Sequence, residues 1–194
     1  KPARRVRGVS MIEVLVAFLI LTVGLLGVAG LQAQMPTAEL EAYQRAQAIV
    51  LLQDMVDRVS ANRKNAASYV TTDPLGTLSN LVCTNPGTNV ALKDKCEWSD
   101  ALAGAAETTG GGANKLGAMN GARGCITNPV ATMPREVVVA VVWQGIAPTL
   151  APTATTCGQG SYDADDKTRR AMIARIKIGC LQNDPTSGAC ITTP

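Results

Sequence analysis

Val9 to Leu31 is an almost unbroken apolar stretch that follows the basic leader KPARRVRG and carries one carboxylate, Glu13, near its start. A helix over Val14 to Leu31 is roughly 27 Å long at about 1.5 Å per residue, enough to cross most of a bilayer's hydrocarbon core. Only Thr22 and the small residues Gly24, Gly27 and Gly30 interrupt that run. Lys1, Arg4, Arg5 and Arg7 stand before it, and no Lys or Arg follows until Arg45. The positive-inside rule therefore keeps the start cytoplasmic and sends the remainder across the membrane.

A secretory signal peptide has an apolar region of about 7 to 15 residues and a small-residue cleavage site after it. Here the run is too long, and the best late site, around Val28-Ala29-Gly30, is poor. A plain single-pass anchor satisfies the hydrophobicity but leaves Glu13 without a role. An ionisable group in a spanning helix costs a few kcal/mol even on lenient scales, so it is usually paired or functional. The plainer alternative places Glu13 at the headgroup level, solvated near the helix end.

The string Gly8-Val9-Ser10-Met11-Ile12-Glu13-Val14-Leu15-Val16-Ala17 resembles the type IV pilin signal, in which a basic leader ends in Gly before an apolar helix. The resemblance implies that prepilin peptidase cuts between Gly8 and Val9 on the cytoplasmic side and methylates the new amine of Val9. Glu13 then becomes the fifth residue of the mature chain, where the family places its assembly glutamate. Val9 departs mildly from the phenylalanine-type first residue common in the family. Physically, a carboxylate held in an apolar helix bundle requires a cation, and the N-terminal amine of a neighbouring subunit would satisfy it at that depth.

The formal net charge of +3 is misleading, because without the four basic leader residues the acidic side chains are in the slight majority. The balance gives little reason to expect nucleic acid as a partner. The chain's 194 residues suggest one exported domain behind the membrane helix. Its six cysteines, Cys83, Cys96, Cys125, Cys157, Cys180 and Cys190, all follow the apolar run. An even number in an exported domain reads as disulfides formed in an oxidising periplasm. Zinc is poorly supported, with neither a C-x-x-C pair nor any histidine. Six cysteines admit more than a dozen pairings. Short-range closure suggests Cys83 with Cys96 and Cys180 with Cys190, leaving Cys125 with Cys157.

Thr37 to Asn62 reads as a second stretch of helix. Ala48, Leu52, Met55, Val56 and Val59 share one face, while Glu41 with Arg45 and Asp54 with Arg58 form i,i+4 pairs. Proline removes a helix hydrogen bond, so a kink or local break is expected at Pro36. Thr71 to Arg135 reads as loop-rich, with Pro74, Pro86, Gly110-Gly111-Gly112, Pro129 and Pro134. The glycine run has no phosphate-loop pattern and reads as a surface connection. Trp98 in CEWSDAL could begin a short helix and pack as core. Glu136 to Gln144, EVVVAVVWQ, reads as a strand buried on both faces. Ala171 to Cys180 alternates as a half-exposed strand, and the two make an antiparallel pair. The fold expected is α+β: a long N-terminal helix, membrane-spanning in its first half, packed against a disulfide-bearing antiparallel sheet.

The order of long helix, disulfide-bearing loops, a strand ending in Val142-Trp143 and a late basic-apolar strand is similar to PilV-type minor pilins. Leu52 to Asn62, LQDMVDRVSAN, also resembles the helix-end motif of that group. The domains implied are a cleaved leader over 1–8, a transmembrane and assembly helix over 9–35, and a periplasmic pilin domain over 36–194. The resemblance implies an inner-membrane, single-pass protein that then enters a pilus. Its implied partners are prepilin peptidase, other minor and major pilins and the inner-membrane assembly platform, with no cofactor. The nearest rival is a minor pseudopilin of type II secretion. An uncleaved, membrane-anchored periplasmic binding protein is the rival from another class.

Without histidine, Ser-His-Asp and Cys-His catalysis is unavailable, and the chain reads as a non-enzyme. Asp163, Asp165 and Asp166 lack the EF-hand pattern and read as a solvated turn rather than a calcium site. Lys167, Arg169, Arg170, Arg175 and Lys177 form a basic cluster that would suit a DNA-uptake role. The adjacent aspartates and scarce aromatics count against it.

Overall fold

The apolar stretch and the amphipathic stretch after it form one helix, α1 (Met11–Ala61), 51 residues long with Pro36 inside it. The local break expected at Pro36 is absent from this computed structural model, which describes residues 8, 10–84, 86–105, 108–109, 114–115, 119–130 and 135–179. Proline forfeits one backbone bond, and the strong helix formers flanking it, Leu31 and Gln32 before and Ala38 to Leu40 after, propagate the helix across that defect. By its internal packing the chain divides into Lys1–Leu40 and Glu41–Pro194. In the first unit every described side chain of the apolar run is exposed, Phe18 to 62% and Leu26 to 73%.

The second unit builds its own core. From Glu41 onward α1 buries Gln44, Ala48, Met55 and Val59 on one face, at the spacing that the sequence pattern requires. A 3-10 helix (Arg63–Tyr69) follows, then β1 (Leu75–Gly76), α2 (Val90–Leu102), a two-stranded hairpin of β2 (Thr108–Thr109) and β3 (Asn114–Lys115), β4 (Arg123–Val130), β5 (Arg135–Gln144) and β6 (Arg169–Ile178). The larger sheet has the order β1-β4-β5-β6, antiparallel throughout. Val139 of β5 pairs with Ile126 of β4 on one side and Ala174 of β6 on the other. The fold is α+β, as expected.

β5 is buried on both faces because each face has its own cover. Val137, Val139, Val141 and Trp143 join Ala48, Met55 and Val59 of α1 and Trp98 and Leu102 of α2. Each such valine contributes about 1.5–3 kcal/mol on burial. On the opposite face Ala140 and Val142 join Cys157, with Cys125, Tyr162, Ala171 and Ile173 packed around them. The loop at 145–168 closes that face through Arg169, only 2% exposed. Arg169 Nη1 donates to the carbonyls of Thr155 and Cys157 at 3.0 and 3.1 Å, and Nη2 to that of Pro152 at 3.0 Å.

The segment read as loop-rich contains, besides three two-residue strands, the longer elements α2 and β4. α2 begins at Val90, eight residues before Trp98, where the Asn89 side chain accepts the Leu92 N–H at 3.0 Å and caps the helix. Trp98 is core, as expected, and its indole N–H donates to the Leu51 carbonyl at 2.8 Å. β4 escapes a propensity reading because it contains Gly124 and Pro129. At Gly124 a Cβ would overlap the Trp98 ring. Proline cannot donate to the ladder, and the register against β5 shifts between Thr127 and Val130, around Pro129. Gly110 to Gly112 and Pro134 lie outside the described residues.

A charge network joins α1 to α2. Arg58 pairs with Asp54 at 3.0 Å as expected, and also with Asp94 at 3.0 Å and Glu97 at 2.6 Å. Burial alone would lower the Arg58 pKa, yet hydrogen bonds to Glu97, Asp54 and Asp94 outweigh it and hold the group above its ordinary value. The buried Tyr69 hydroxyl donates to Asp94 and accepts from Asn62. Burial, reinforced by the Asp94 bond, pushes the Tyr69 phenol up to about 12. Glu41, expected to pair with Arg45, instead accepts from Arg170 at 3.3 Å and from the Ile146 N–H at 3.3 Å. Arg170 has no other acidic partner among the described residues, and it fixes β6 to the start of this unit's helix segment.

Candidate assembly site

Gly8 lies just outside α1, exposed and without regular structure, and Val9 falls outside the described residues. The helix then opens with the Glu13 and Val14 N–H groups donating to the Ser10 carbonyl at 3.0 and 3.4 Å. Ser10 and Glu13 stand at capping-box spacing. Glu13 is in the first turn, where the free N–H groups of a helix start favour a carboxylate. It is exposed, and among the described residues no cation lies within ion-pair distance.

Val14, Ala17, Phe18 and Leu21 line a shallow apolar groove with Glu13. One carboxylate therefore sits at the end of a surface that is otherwise aliphatic and aromatic. In water this surface would be costly, since about 25 cal/mol accrues for each Å² of apolar area left exposed. α1 is long and apolar enough to cross a membrane. The arrangement can do two things chemically: partition into lipid, and accept one positive charge beside its N-terminus once neighbours exclude water.

The structure joins Cys83 to Cys96 and Cys125 to Cys157, with Cα atoms 5.6 and 5.8 Å apart. The first is a pair that short-range closure suggested and the second the pair it left over; Cys180 and Cys190 lie outside the described residues. The first bond ties the loop after β1 to α2, and the second ties β4 to the loop covering the outer face of the sheet.

The acidic patch needs correction. Asp165 is exposed beside Lys167 at 3.0 Å, but Asp166 is buried and pairs with Arg169 at 3.3 Å. Asp166 also accepts the Gly160 N–H at 2.8 Å. Asp163 accepts both the hydroxyl and the N–H of Thr168, and the Thr168 hydroxyl bond chiefly holds its carboxyl below the usual range. The patch is an organised turn rather than a solvated one, because a buried guanidinium at 169 demands a carboxylate. The basic cluster is largely committed to the same framework: Arg175 pairs with Glu136 at 2.6 Å, and Arg169 and Arg170 are held as above.

Sequence reading missed Asp94 and Glu97 as partners of Arg58, and Tyr69 as a partner of Asp94, since nothing local links residues so far apart. The Asn89 cap was the available signal for the helix that carries two of them.

Two family models match the chain in tandem. The prokaryotic N-terminal methylation motif covers residues 3–29, and the Tt1218-like family, type IV pilin Tt1218, covers residues 30–100. No curated protein and no solved structure matches it. The chain thus carries an N-terminal methylation motif followed directly by a type IV pilin region.

Proposed function

With a methylation motif running straight into a pilin region, we propose that this chain is a minor type IV pilin of the PilV type. Prepilin peptidase removes residues 1–8 by cutting between Gly8 and Val9, and methylates the Val9 amine. Residues 9–35 hold the chain in the inner membrane until the assembly platform transfers it into a fibre. Residues 36–194 form the periplasmic domain, and the two disulfides fit that oxidising compartment.

Glu13 is the assembly residue. Its partner is the N-terminal amine of a neighbouring subunit, and their pairing inside a water-free bundle sets the axial register. The observation that carries this reading is the tandem match at residues 3–29 and 30–100, which brackets Glu13 on an exposed apolar helix. As a low-abundance subunit the chain initiates, caps or modifies the pilus rather than forming its bulk.

The test is the mass of the N-terminal peptide of the protein from its native membrane, with and without active prepilin peptidase. A methylated peptide beginning at Val9 only when the enzyme works is expected. An intact leader in both samples leaves an anchored periplasmic domain instead. Co-purification with major pilin is the second expectation; recovery with type II secretion components would reassign the chain as a pseudopilin.

A further inference from the structure

Between the loop at residues 70–82 and α2 lies a cleft of about 250 Å³. Its polar lining comes from Lys95, Asp73, Thr71, Thr72, Ser79 and Asn80, and the remaining wall is aliphatic. The volume is below the roughly 300–1,000 Å³ of drug-sized sites, leaving room for a single ring.

The two charged groups of this lining have no ionic partner among the described residues. Lys95 Nζ donates to the Ser68 carbonyl at 2.9 Å, and Asp73 accepts the Thr72 hydroxyl at 3.3 Å. Desolvation by partial burial lowers the Lys95 pKa, an effect that a nearby anion would reverse. An ammonium has three donors, so Lys95 retains hydrogen-bonding capacity beyond Ser68.

The walls are fixed in advance. The Thr71 N–H donates to the Ile126 carbonyl at 2.9 Å, the Gly76 N–H to Ser99 Oγ at 3.0 Å and the Thr77 N–H to the Ala122 carbonyl at 2.9 Å. Gly76 has φ +96°, and a Cβ there would stand 2.6 Å from the Ala122 oxygen. The Cys83–Cys96 disulfide fastens the end of the loop to α2. A cleft held this firmly loses little entropy on binding.

We propose that this cleft binds a hydroxy-carboxylate of monosaccharide size, with its carboxylate on Lys95 and its hydroxyls on Asp73 and the neutral groups around it. A neutral sugar leaves the ammonium unpaired. A phosphate brings a second negative charge toward Asp73. An amino-acid zwitterion answers both charges but leaves the Asn80 amide and the Ser79 hydroxyl proton idle, the Thr71 and Thr72 hydroxyls being engaged with Ile126 and Asp73. The site is independent of the pilin assignment.

The test is a titration of the ¹⁵N-labelled full chain in detergent micelles with sodium glucuronate, using sodium chloride, glucose and glycine as comparisons. Expected are saturable shifts in the amides of 70–82 and 95, with glucose and glycine at least about tenfold weaker. Lys95→Met should weaken glucuronate at least about tenfold, with Trp98 fluorescence unchanged. Should that variant misfold, Thr72→Val, at an exposed loop position, is expected to weaken glucuronate severalfold. The proposal is overturned by the absence of saturable shifts, by glucose or glycine binding as tightly, or by wild-type affinity in whichever variant folds.

Discussion

Lys1–Leu40 and Glu41–Pro194 solve opposite problems with the same backbone element. The later part of α1 has a polar and an apolar face, and the apolar one is answered within the chain by Val137, Val139, Val141 and Trp98. In the earlier part the run from Val14 to Leu31 is apolar nearly all round and exposed, so nothing in its own unit covers it. Periodicity marks the boundary between these regimes more clearly than any break in the helix does. One region covers its apolar surface from within the chain, whereas the other leaves it exposed.

Glu13→Ala should give the largest effect and fall wholly in the first region. On the proposed pairing, removing the carboxylate would leave a neighbour's amine unpaired in an apolar bundle, at a cost of about 3–5 kcal/mol. Incorporation into fibres, read by immunoblot of sheared pili, should drop more than about tenfold, with leader cleavage intact. Normal incorporation would refute the pairing and leave the first region a simple anchor.

Trp98→Ala belongs to the second region and should destabilise it by about 3–5 kcal/mol in denaturant melts. It empties the centre of the core and abandons the bond to the Leu51 carbonyl. Membrane partition of the same variant should not change; a loss there would mean that the two regions are energetically coupled. Replacing both Cys125 and Cys157 by Ser opens a crosslink across a sequence separation of 32. The expected destabilisation is about 3–4 kcal/mol on the chain-entropy account.

The smallest effect is set by pH. Folding raises the Tyr69 pKa from 10.0 to about 12, so the folded state holds the phenolic proton more tightly than the unfolded chain does. The associated stability is complete below pH 10 and is lost as pH climbs toward about 12, by on the order of 1–3 kcal/mol. Tyr69→Phe should flatten that decline in denaturant melts; an unchanged slope would assign it to other groups.

The strongly patterned parts were legible in the sequence. β5 and β6 declared themselves by an unbroken β-branched run and by alternation, and the helix face of Ala48, Met55 and Val59 by its spacing. What stayed hidden was decided by tertiary contact. Gly124 reads as a loop residue until the Trp98 ring is placed against it. Glu41 reads as a partner for Arg45 until β6 delivers Arg170. Asp166 reads as a solvated acid until Arg169 is found buried beside it. For the candidate assembly site, the Gly8–Glu13 spacing was legible, but on the proposed reading the group that would complete it belongs to a neighbouring chain.

The division of β5 between two cores has an optical consequence. The chain has 2 tryptophans, Trp98 and Trp143, and both lie in the cluster on the α1 side. Tyr162, itself part of the 145–168 loop, packs in the other cluster. Emission excited at the red edge of the indole band therefore reports on one face of the sheet alone. A ligand or mutation that loosens the outer loop would be silent in tryptophan fluorescence, yet visible as the part of the tyrosine absorbance change that Tyr162→Phe abolishes, since Tyr69 lies in the tryptophan cluster.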